Sequence, residues 1–131
     1  MEKKSRILVV DDSAVNLMAV EQKLKDIYEI IPINSGTRAL RYLRNERPDL
    51  ILLDIKMDDK NGIETLKEIR GMENVCDVPV IMLTSKNDRE SVIQCQKLGA
   101  YGYVLKPFEV QILKDKIEHA LEWAGNGGKP L

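Results

Sequence analysis

The sequence is poor in cysteine, histidine and aromatic residues. Two cysteines and one histidine occur among 131 residues, and aromatic residues make up 5%. Cys76 and Cys95 are too far apart for a CxxC pair and too few for a disulfide framework, so free thiols are expected. His119 lies in a predicted helix and is expected to face solvent. These scarcities exclude a disulfide-stabilised fold.

The sequence also lacks an excess of charge of one sign and any long apolar run. With 20 Lys+Arg against 21 Asp+Glu, the net charge of −1 excludes a basic surface that would bind nucleic acid directly. No apolar run approaches the roughly 20 residues of a membrane-spanning helix, and residues 1–5 lack the apolar core of a signal peptide. We therefore expect a cytoplasmic protein with no membrane contact.

The sequence contains five short apolar blocks, which alternate with segments of helical periodicity. Three blocks, ILVV, LILL and VIML, are apolar at every position, which is typical of parallel strands covered on both faces. The predicted strands are 7–10, 28–33, 50–53, 80–83 and 103–105.

Five helices are predicted between and after these strands. The first has an apolar stripe of Leu17, Val20, Leu24 and Ile27, with Ser13 as its N-cap. The others are predicted at 35–44, 62–72, 89–98 and 109–123; Ser35 caps the second, and Gly99 ends the fourth. Residues 1–124 are predicted to form one domain, and the glycine-rich residues 125–131 a flexible tail or the start of a linker.

Strict alternation of strand and helix predicts an α/β fold, a three-layer doubly wound (βα)5 domain with a parallel sheet of order 2-1-3-4-5. In such sheets, ligands bind outside the carboxyl ends of the strands. The residues that follow the predicted strands are Asp11, Asp12, Asp54, Thr84, Ser85 and Lys106.

This set predicts phosphoryl chemistry supported by a metal ion. Two carboxylates about 4 Å apart repel by roughly 4 kcal/mol at an effective dielectric near 20, so three of them require a cation, a proton or a nearby lysine. Mg²⁺ prefers such oxygen ligands, and Mn²⁺ can substitute for it. Asp54 ends the central strand and is the candidate nucleophile toward phosphorus. Thr84 and Lys106 are candidates to contact phosphoryl oxygens.

The motifs ILVVDDS, LILLDIKM, VIMLTS and GAYGYVLKPF, in this order and spacing, resemble the receiver domain of two-component response regulators from residue 6 to about 123. The resemblance implies a flavodoxin-like fold in which Asp54 accepts a phosphoryl group from a histidine kinase or a histidine phosphotransfer protein. It also implies Mg²⁺ bound by Asp11, Asp12, Asp54 and the backbone carbonyl of Lys56, and a cis Lys106–Pro107 peptide.

The resemblance further implies a switch. Thr84 and Tyr103 match its hydroxyl and aromatic positions, and phosphorylation would change the surface of the fourth helix, fifth strand and fifth helix. That surface, on which Ile112 is expected to be partly exposed, is the predicted contact with an output domain, an effector protein or a second copy. The protein is expected to catalyse its own phosphorylation and dephosphorylation without being a turnover enzyme.

The sequence departs from the family pattern at a few positions. Asp58 stands where proline is usual, which predicts a looser and more acidic loop after the phosphoacceptor. Ser85 replaces the more frequent alanine. Lys56 and Lys86 occupy positions whose side chains modulate phosphorylation and hydrolysis in the family.

Three alternatives remain open. A haloacid dehalogenase-type phosphohydrolase also has a nucleophilic aspartate at a strand end, but its second aspartate is replaced here by Lys56. A flavin-binding protein of the same fold would require a phosphate-binding loop where Asp11 and Asp12 stand. The third alternative is an interaction module that acts without phosphorylation.

Overall fold

The computed structural model describes residues 3–85 and 89–128, and these form alternating strands and helices. The elements, in chain order, are β1 Arg6–Val10, α1 Ala14–Leu24, β2 Glu29–Ile33, α2 Gly36–Leu43, β3 Leu50–Asp54, α3 Gly62–Arg70, β4 Val80–Thr84, α4 Arg89–Lys97, β5 Gly102–Leu105 and α5 Val110–Gly125.

The strands form one sheet of order β2-β1-β3-β4-β5, and all four strand pairs are parallel. Every residue of β3 and β4 is buried, as the continuous apolar blocks predict for strands covered on both faces. The predicted fold class and strand order are confirmed.

Two apolar cores lie on opposite faces of the sheet because successive strand side chains point in opposite directions. Leu8 and Val10 of β1 pack with buried residues of α2, α3 and α4. Ile7 and Val9 pack with buried residues of α1 and α5. The domain therefore has three layers, and all five strands end at one edge.

The predicted helix caps are confirmed. Ser13 accepts a hydrogen bond from the backbone N–H of Asn16, and Ser35 accepts one from Arg38. Gly99 has φ +82°, a conformation that glycine adopts without steric cost, and it follows the end of α4.

The predicted ends of three helices differ from the observed ones by two or more residues, and the other bounds differ by at most one residue. Helix α1 ends at Leu24, so Ile27 lies in the following turn and is 45% exposed instead of continuing the apolar stripe. Helix α3 ends at Arg70 rather than at residue 72. Helix α5 continues to Gly125, and the N–H of Gly128 bonds to the Trp123 carbonyl, so part of the predicted tail is the end of this helix. Residues 129–131 of that tail lie outside the described residues.

Among residues 3–85 and 89–128, no helix combines the length and apolar character needed to cross a membrane.

Candidate functional site

Three carboxylates meet at the carboxyl edge of the sheet. Parallel β1 and β3 pair Val10 with Leu53, so the next residues, Asp11 and Asp54, stand side by side where the strands end. Asp12 follows directly. One carboxylate oxygen from each of the three lies within 4.8 Å of the others. The predicted convergence of Asp11, Asp12 and Asp54 is therefore found in the structure.

Burial differs among these carboxylates. Asp11 is 1% exposed and Asp54 is 7% exposed, whereas Asp12 is exposed. A buried carboxylate needs a compensating charge or hydrogen bonds, since desolvation penalises its ionised form. The inner part of the site is therefore a carboxylate pair, and Asp12 lies at its solvent-facing rim.

Lys106 supplies the compensating charge from the end of β5. Its Nζ lies 2.9 Å from Asp54 Oδ2 and 3.1 Å from Asp11 Oδ2. The backbone N–H of Lys106 bonds to the Thr84 carbonyl at 2.7 Å, which ties the lysine to the end of β4. The Lys106–Pro107 peptide is cis, as the resemblance implies. One ammonium therefore bridges two of the three carboxylates.

The protonation equilibria reflect this arrangement. Burial raises the pKa of Asp54 above its ordinary value, and the hydrogen bond and charge of Lys106 oppose that increase only in part. Burial disfavours the ammonium of Lys106, but the hydrogen bonds and charges of Asp54 and Asp11 outweigh it and raise the lysine pKa. Lys106 is therefore held in its charged form beside Asp54.

Sequence reasoning missed two further partners of Asp11. Its Oδ1 accepts a hydrogen bond of 2.9 Å from the backbone N–H of Ser13. Its Oδ2 accepts a hydrogen bond of 3.2 Å from Nδ2 of Asn16. The signal was present, because the Ser13 cap fixes the first turn of α1 and so brings Asn16 back toward the end of β1. Together with Lys106, these donors satisfy the Asp11 carboxylate on both oxygens.

The loop between β3 and α3 closes another side of the site. Lys56 lies in this loop with an exposed side chain, two residues after Asp54. The N–H of Gly62 bonds to the Ile55 carbonyl at 2.7 Å. A Cβ on Gly62 would lie 2.2 Å from the Asp54 carbonyl oxygen, so this close approach requires glycine.

Two acidic residues hold this loop to its surroundings. The backbone N–H of Asp58 donates to Asp12 Oδ2 at 3.1 Å. Asp59 Oδ2 accepts the N–H of Thr37 at the start of α2, at 3.2 Å. The sequence predicts a looser loop from Asp58, but hydrogen bonds hold the loop at two successive residues. Neither contact was predicted from the sequence.

Thr84 and Ser85 stand at the end of β4, beside Asp54. Register pairs Asp54 with Leu83, the residue before Thr84, and Thr84 itself is 2% exposed. Its hydroxyl donates to the Ser85 carbonyl at 3.2 Å. Tyr103 in β5 pairs with Met82 and is 42% exposed. The hydroxyl is thus buried at the site, and the aromatic ring lies farther back on the sheet, at the surface. Lys86 lies outside the described residues.

The other singled-out residues lie away from these carboxylates. His119 is exposed on α5, Cys76 is exposed and Cys95 is buried, where burial raises the thiol pKa to about 11. Ile112 is 54% exposed, as predicted. Trp123 packs at the end of α5, with its ring centroid 5.4 Å from that of Tyr101.

The donor set fits a hard divalent cation. Three carboxylates offer oxygen ligands within 4.8 Å, and the Lys106 ammonium can balance the charge of one of them. Mg²⁺ prefers one or two carboxylates together with water and phosphoryl oxygens. Exposed Asp12 leaves the approach to this cluster open to solvent.

Comparison with known proteins agrees with this geometry. A family model described as the response regulator receiver domain matches residues 7–118. The chemotaxis protein CheY of Pseudomonas aeruginosa is 34% identical over 119 residues, which are 89% of this chain and 96% of that protein. A probable cyclic di-GMP phosphodiesterase of Vibrio cholerae is 37% identical over 116 residues, which are 88% of this chain but 26% of that protein.

Solved structures agree as well. A CheY-like receiver domain protein from Methanospirillum hungatei superposes with a TM-score of 0.88 at 28% identity, covering 95% of this chain and 99% of that one. The receiver domain of a histidine kinase from Syntrophus aciditrophicus gives 0.83 at 28% identity, with 90% of each chain covered. The chain belongs to the response regulator receiver domain family.

Proposed function

We propose that this chain receives a phosphoryl group on Asp54, in a Mg²⁺-dependent reaction, from a histidine kinase or a histidine phosphotransfer protein. The single observation that supports this proposal most strongly is the ion pair of buried Asp54 with Lys106, next to Asp11 and Asp12. Receiver domains are signalling modules rather than turnover enzymes, so the phosphorylated protein itself is the product of interest.

In the proposed transfer, one carboxylate oxygen of Asp54 forms a bond to phosphorus, and the phosphorus–nitrogen bond of the donor phosphohistidine breaks. The electron pair of that bond leaves with the imidazole, which takes a proton, and Asp54 becomes a mixed anhydride. Lys106 stabilises charge on the phosphoryl oxygens, and the Thr84 hydroxyl donates a hydrogen bond to one of them. Asp11, Asp12, Asp54 and the Lys56 carbonyl would hold Mg²⁺, which supplies further charge neutralisation when bound.

Phosphorylation is proposed to act on a switch formed by Thr84 and Tyr103. New charge on Asp54 favours a state in which the Thr84 hydroxyl turns toward the phosphoryl group. A narrow cleft beside Tyr103, lined by Met82, Val92 and Cys95, lies between β5 and α4. The tyrosine ring can respond by moving toward α4, which changes the surface formed by α4, β5 and α5.

That output surface is the proposed contact with an output domain, an effector protein or a second copy in a homodimer. It carries exposed apolar side chains, namely Ile93, Tyr103, Leu105 and Ile112. We propose that the receiver domain spans residues 1–124 and is followed by a tail or linker whose first residue, Gly125, completes α5. The proposal also places the protein in the cytoplasm, without direct contact with nucleic acid or membrane. Its self-catalysed dephosphorylation belongs to the same proposal.

The direct test is intact-mass measurement after incubation with acetyl phosphate and Mg²⁺. The parent chain should gain one phosphoryl group, because acetyl phosphate can replace phosphohistidine as donor. Hydroxylamine should remove the group, since it cleaves acyl phosphates and leaves phosphate esters intact. Omission of Mg²⁺ should suppress the adduct.

Matched variants assign the adduct to its residue. Asp54→Asn should show no adduct, and Asp26→Asn, which changes an exposed aspartate in the turn after α1, should behave as the parent chain. An equal adduct on Asp54→Asn would remove the acceptor assignment. A parent chain that stays unmodified would favour the phosphorylation-independent interaction module.

A further inference from the structure

The backbone N–H of Asp58 makes a long-range contact with the rim of the acidic site. It donates to Asp12 Oδ2 at 3.1 Å, across 46 residues of sequence. The donor is a main-chain N–H, so any residue except proline can supply it, because proline has no N–H. The loop after β3 therefore touches a candidate metal ligand through its main chain.

The hydrogen bond leaves room for a cation on Asp12. A carboxylate has two oxygens with about four acceptor sites, so occupation of Oδ2 by one N–H leaves Oδ1 and further lone pairs available. Asp12 is exposed, and an exposed side chain loses rotamer freedom when it coordinates an ion. A donor that restricts the carboxylate beforehand reduces that loss.

The loop that carries the donor is itself held in place. Asp59, the next residue, binds the Thr37 N–H at the start of α2. Lys60 forms an ion pair with Glu68 on α3. The N–H of Gly62 bonds to Ile55, so the loop is closed at its base. The Asp58 N–H is thus supported from both sides and is a fixed donor.

We propose that Asp58 is a positioning residue for the metal site: its backbone N–H orients the Asp12 carboxylate and so strengthens Mg²⁺ binding. The inference rests on the proposed function, since it assigns a role toward the same cation. Asp58 contributes through its main chain, and the effect of its side-chain charge is separable from that contribution.

Two substitutions at one position separate backbone from side chain. Asp58→Ala removes the carboxylate and keeps the N–H, whereas Asp58→Pro removes both. Isothermal titration of the unphosphorylated chain with MgCl₂ should give a Kd for Asp58→Pro roughly three- to tenfold weaker than for Asp58→Ala, as expected for the net loss of one hydrogen bond at an exposed site. Thermal unfolding monitored by circular dichroism checks that both variants are folded.

A second readout needs neither metal nor proline. In the metal-free protein, the Asp58 amide proton should resonate downfield because it donates to a carboxylate. Asp12→Ala should move this resonance upfield by more than Asp12→Asn does, since asparagine keeps an acceptor oxygen. This measurement tests the contact even if Asp58→Pro does not fold.

The outcomes distinguish this inference from the proposed function. Equal Kd values for Asp58→Pro and Asp58→Ala, or tighter binding by the proline variant, overturn the positioning role while leaving the metal site intact. An Asp58 amide that is insensitive to Asp12→Ala overturns the contact itself. A parent chain that shows no saturable Mg²⁺ binding overturns the metal site and this inference with it.

Discussion

At the scale of single residues, the site is governed by an imbalance of charge. Asp11 and Asp54 are buried against each other and share one ammonium, Lys106, while Asp12 adds a third negative charge at the rim. The Lys106 ammonium balances the charge of one carboxylate, and a bound divalent cation would balance the charge of the other two. Lys106 is therefore both a structural partner and the candidate phosphate contact.

Substitution of Lys106 separates these two roles. Lys106→Ala should still fold, but the metal-free protein should lose about 1–3 kcal/mol in its free energy of unfolding, because two buried carboxylates lose their partner. Phosphorylation by acetyl phosphate should slow by about 10²-fold, as for removal of one preorganised charge. Urea unfolding and the rate of the mass adduct measure the two effects.

The control for this prediction is Lys97→Ala, which removes an exposed lysine at the end of α4 and should change neither quantity. Mg²⁺ binding by Lys106→Ala should persist, since lysine offers no metal ligand. A loss of Mg²⁺ affinity as large as that of Asp12→Ala would contradict the assignment of Lys106 to the phosphoryl group.

The sequence was sufficient to predict the site residues whose position follows from the strand order alone. Asp11, Asp54, Thr84 and Lys106 each follow an apolar block, and parallel strands bring their carboxyl ends to one edge. The Asp58 N–H contact was not predictable, because the conformation of an irregular loop leaves no periodic signal in the residue types. Where a backbone donor points depends on tertiary contacts.

At the scale of elements, the β3–α3 loop connects the site to two helices. Gly62 begins α3 in direct contact with the Asp54 carbonyl, and Asp59 binds a free N–H at the start of α2. Helix starts have unpaired N–H groups and a partial positive charge, so a carboxylate is stabilising there. Ser35 already caps Arg38, and Asp59 adds a second cap from another segment.

The Asp59 cap predicts a specific pH dependence. Burial opposes ionisation of Asp59, but hydrogen bonds from the Thr37 side chain and from the backbone N–H groups of Lys60, Thr37 and Gly36 lower its pKa below the ordinary 3.8. A lowered pKa in the folded state gives stability that is present above pH 3.8 and lost as pH falls through the lowered value.

Asp59→Asn should therefore reduce the free energy of unfolding at pH 7 only modestly, by about 0.5 kcal/mol or less, because solvent screens this exposed carboxylate. The difference from the parent should shrink as pH falls below 3.8. Urea unfolding across this pH range measures it. Asp26→Asn, an exposed change away from any helix start, serves as the control. A deficit in Asp59→Asn that stays constant with pH would show that the charge of Asp59 is irrelevant to α2.

Element boundaries were less predictable than element types. Ile27 continues the spacing of Leu17, Val20 and Leu24, yet α1 ends at Leu24 and Ile27 is exposed. The backbone N–H groups of Ile27 and Tyr28 both bond to the Leu24 carbonyl, so the chain turns there toward β2. The helix therefore ends where the chain must turn to begin β2, although the apolar spacing continues for one more turn.

At the scale of the whole molecule, the alternation of strand and helix was the main basis for predicting the fold class and the strand order. The continuous apolar blocks of β1, β3 and β4 indicate strands covered on both faces, and right-handed crossovers then restrict the order of a five-stranded sheet. Order β2-β1-β3-β4-β5 leaves β1 and β3 adjacent, which is why Asp11 and Asp54 meet. The strand order therefore determines where the site lies, whatever the conformations of the side chains.

The same topology couples the charge cluster to global stability. Because the carboxylates terminate central strands of a cooperatively packed domain, a cation that binds only the folded cluster stabilises the whole chain by RT ln(1 + [Mg²⁺]/Kd), about 2.7 kcal/mol at one hundred times the Kd. The melting temperature should rise with the logarithm of Mg²⁺ concentration once that concentration exceeds the calorimetric Kd.

Asp12→Asn tests this coupling in both directions. Without Mg²⁺ the variant should be more stable than the parent by about 1 kcal/mol or less, because one of three mutually repelling carboxylates becomes neutral. With Mg²⁺ the order should reverse, since the variant has lost a metal ligand and gains little from the ion. Thermal unfolding with and without Mg²⁺ measures both, and MgCl₂ against NaCl at equal ionic strength separates binding from screening. Equal stabilisation of both chains by Mg²⁺ would mean that the ion binds elsewhere and that Asp12 is not a ligand.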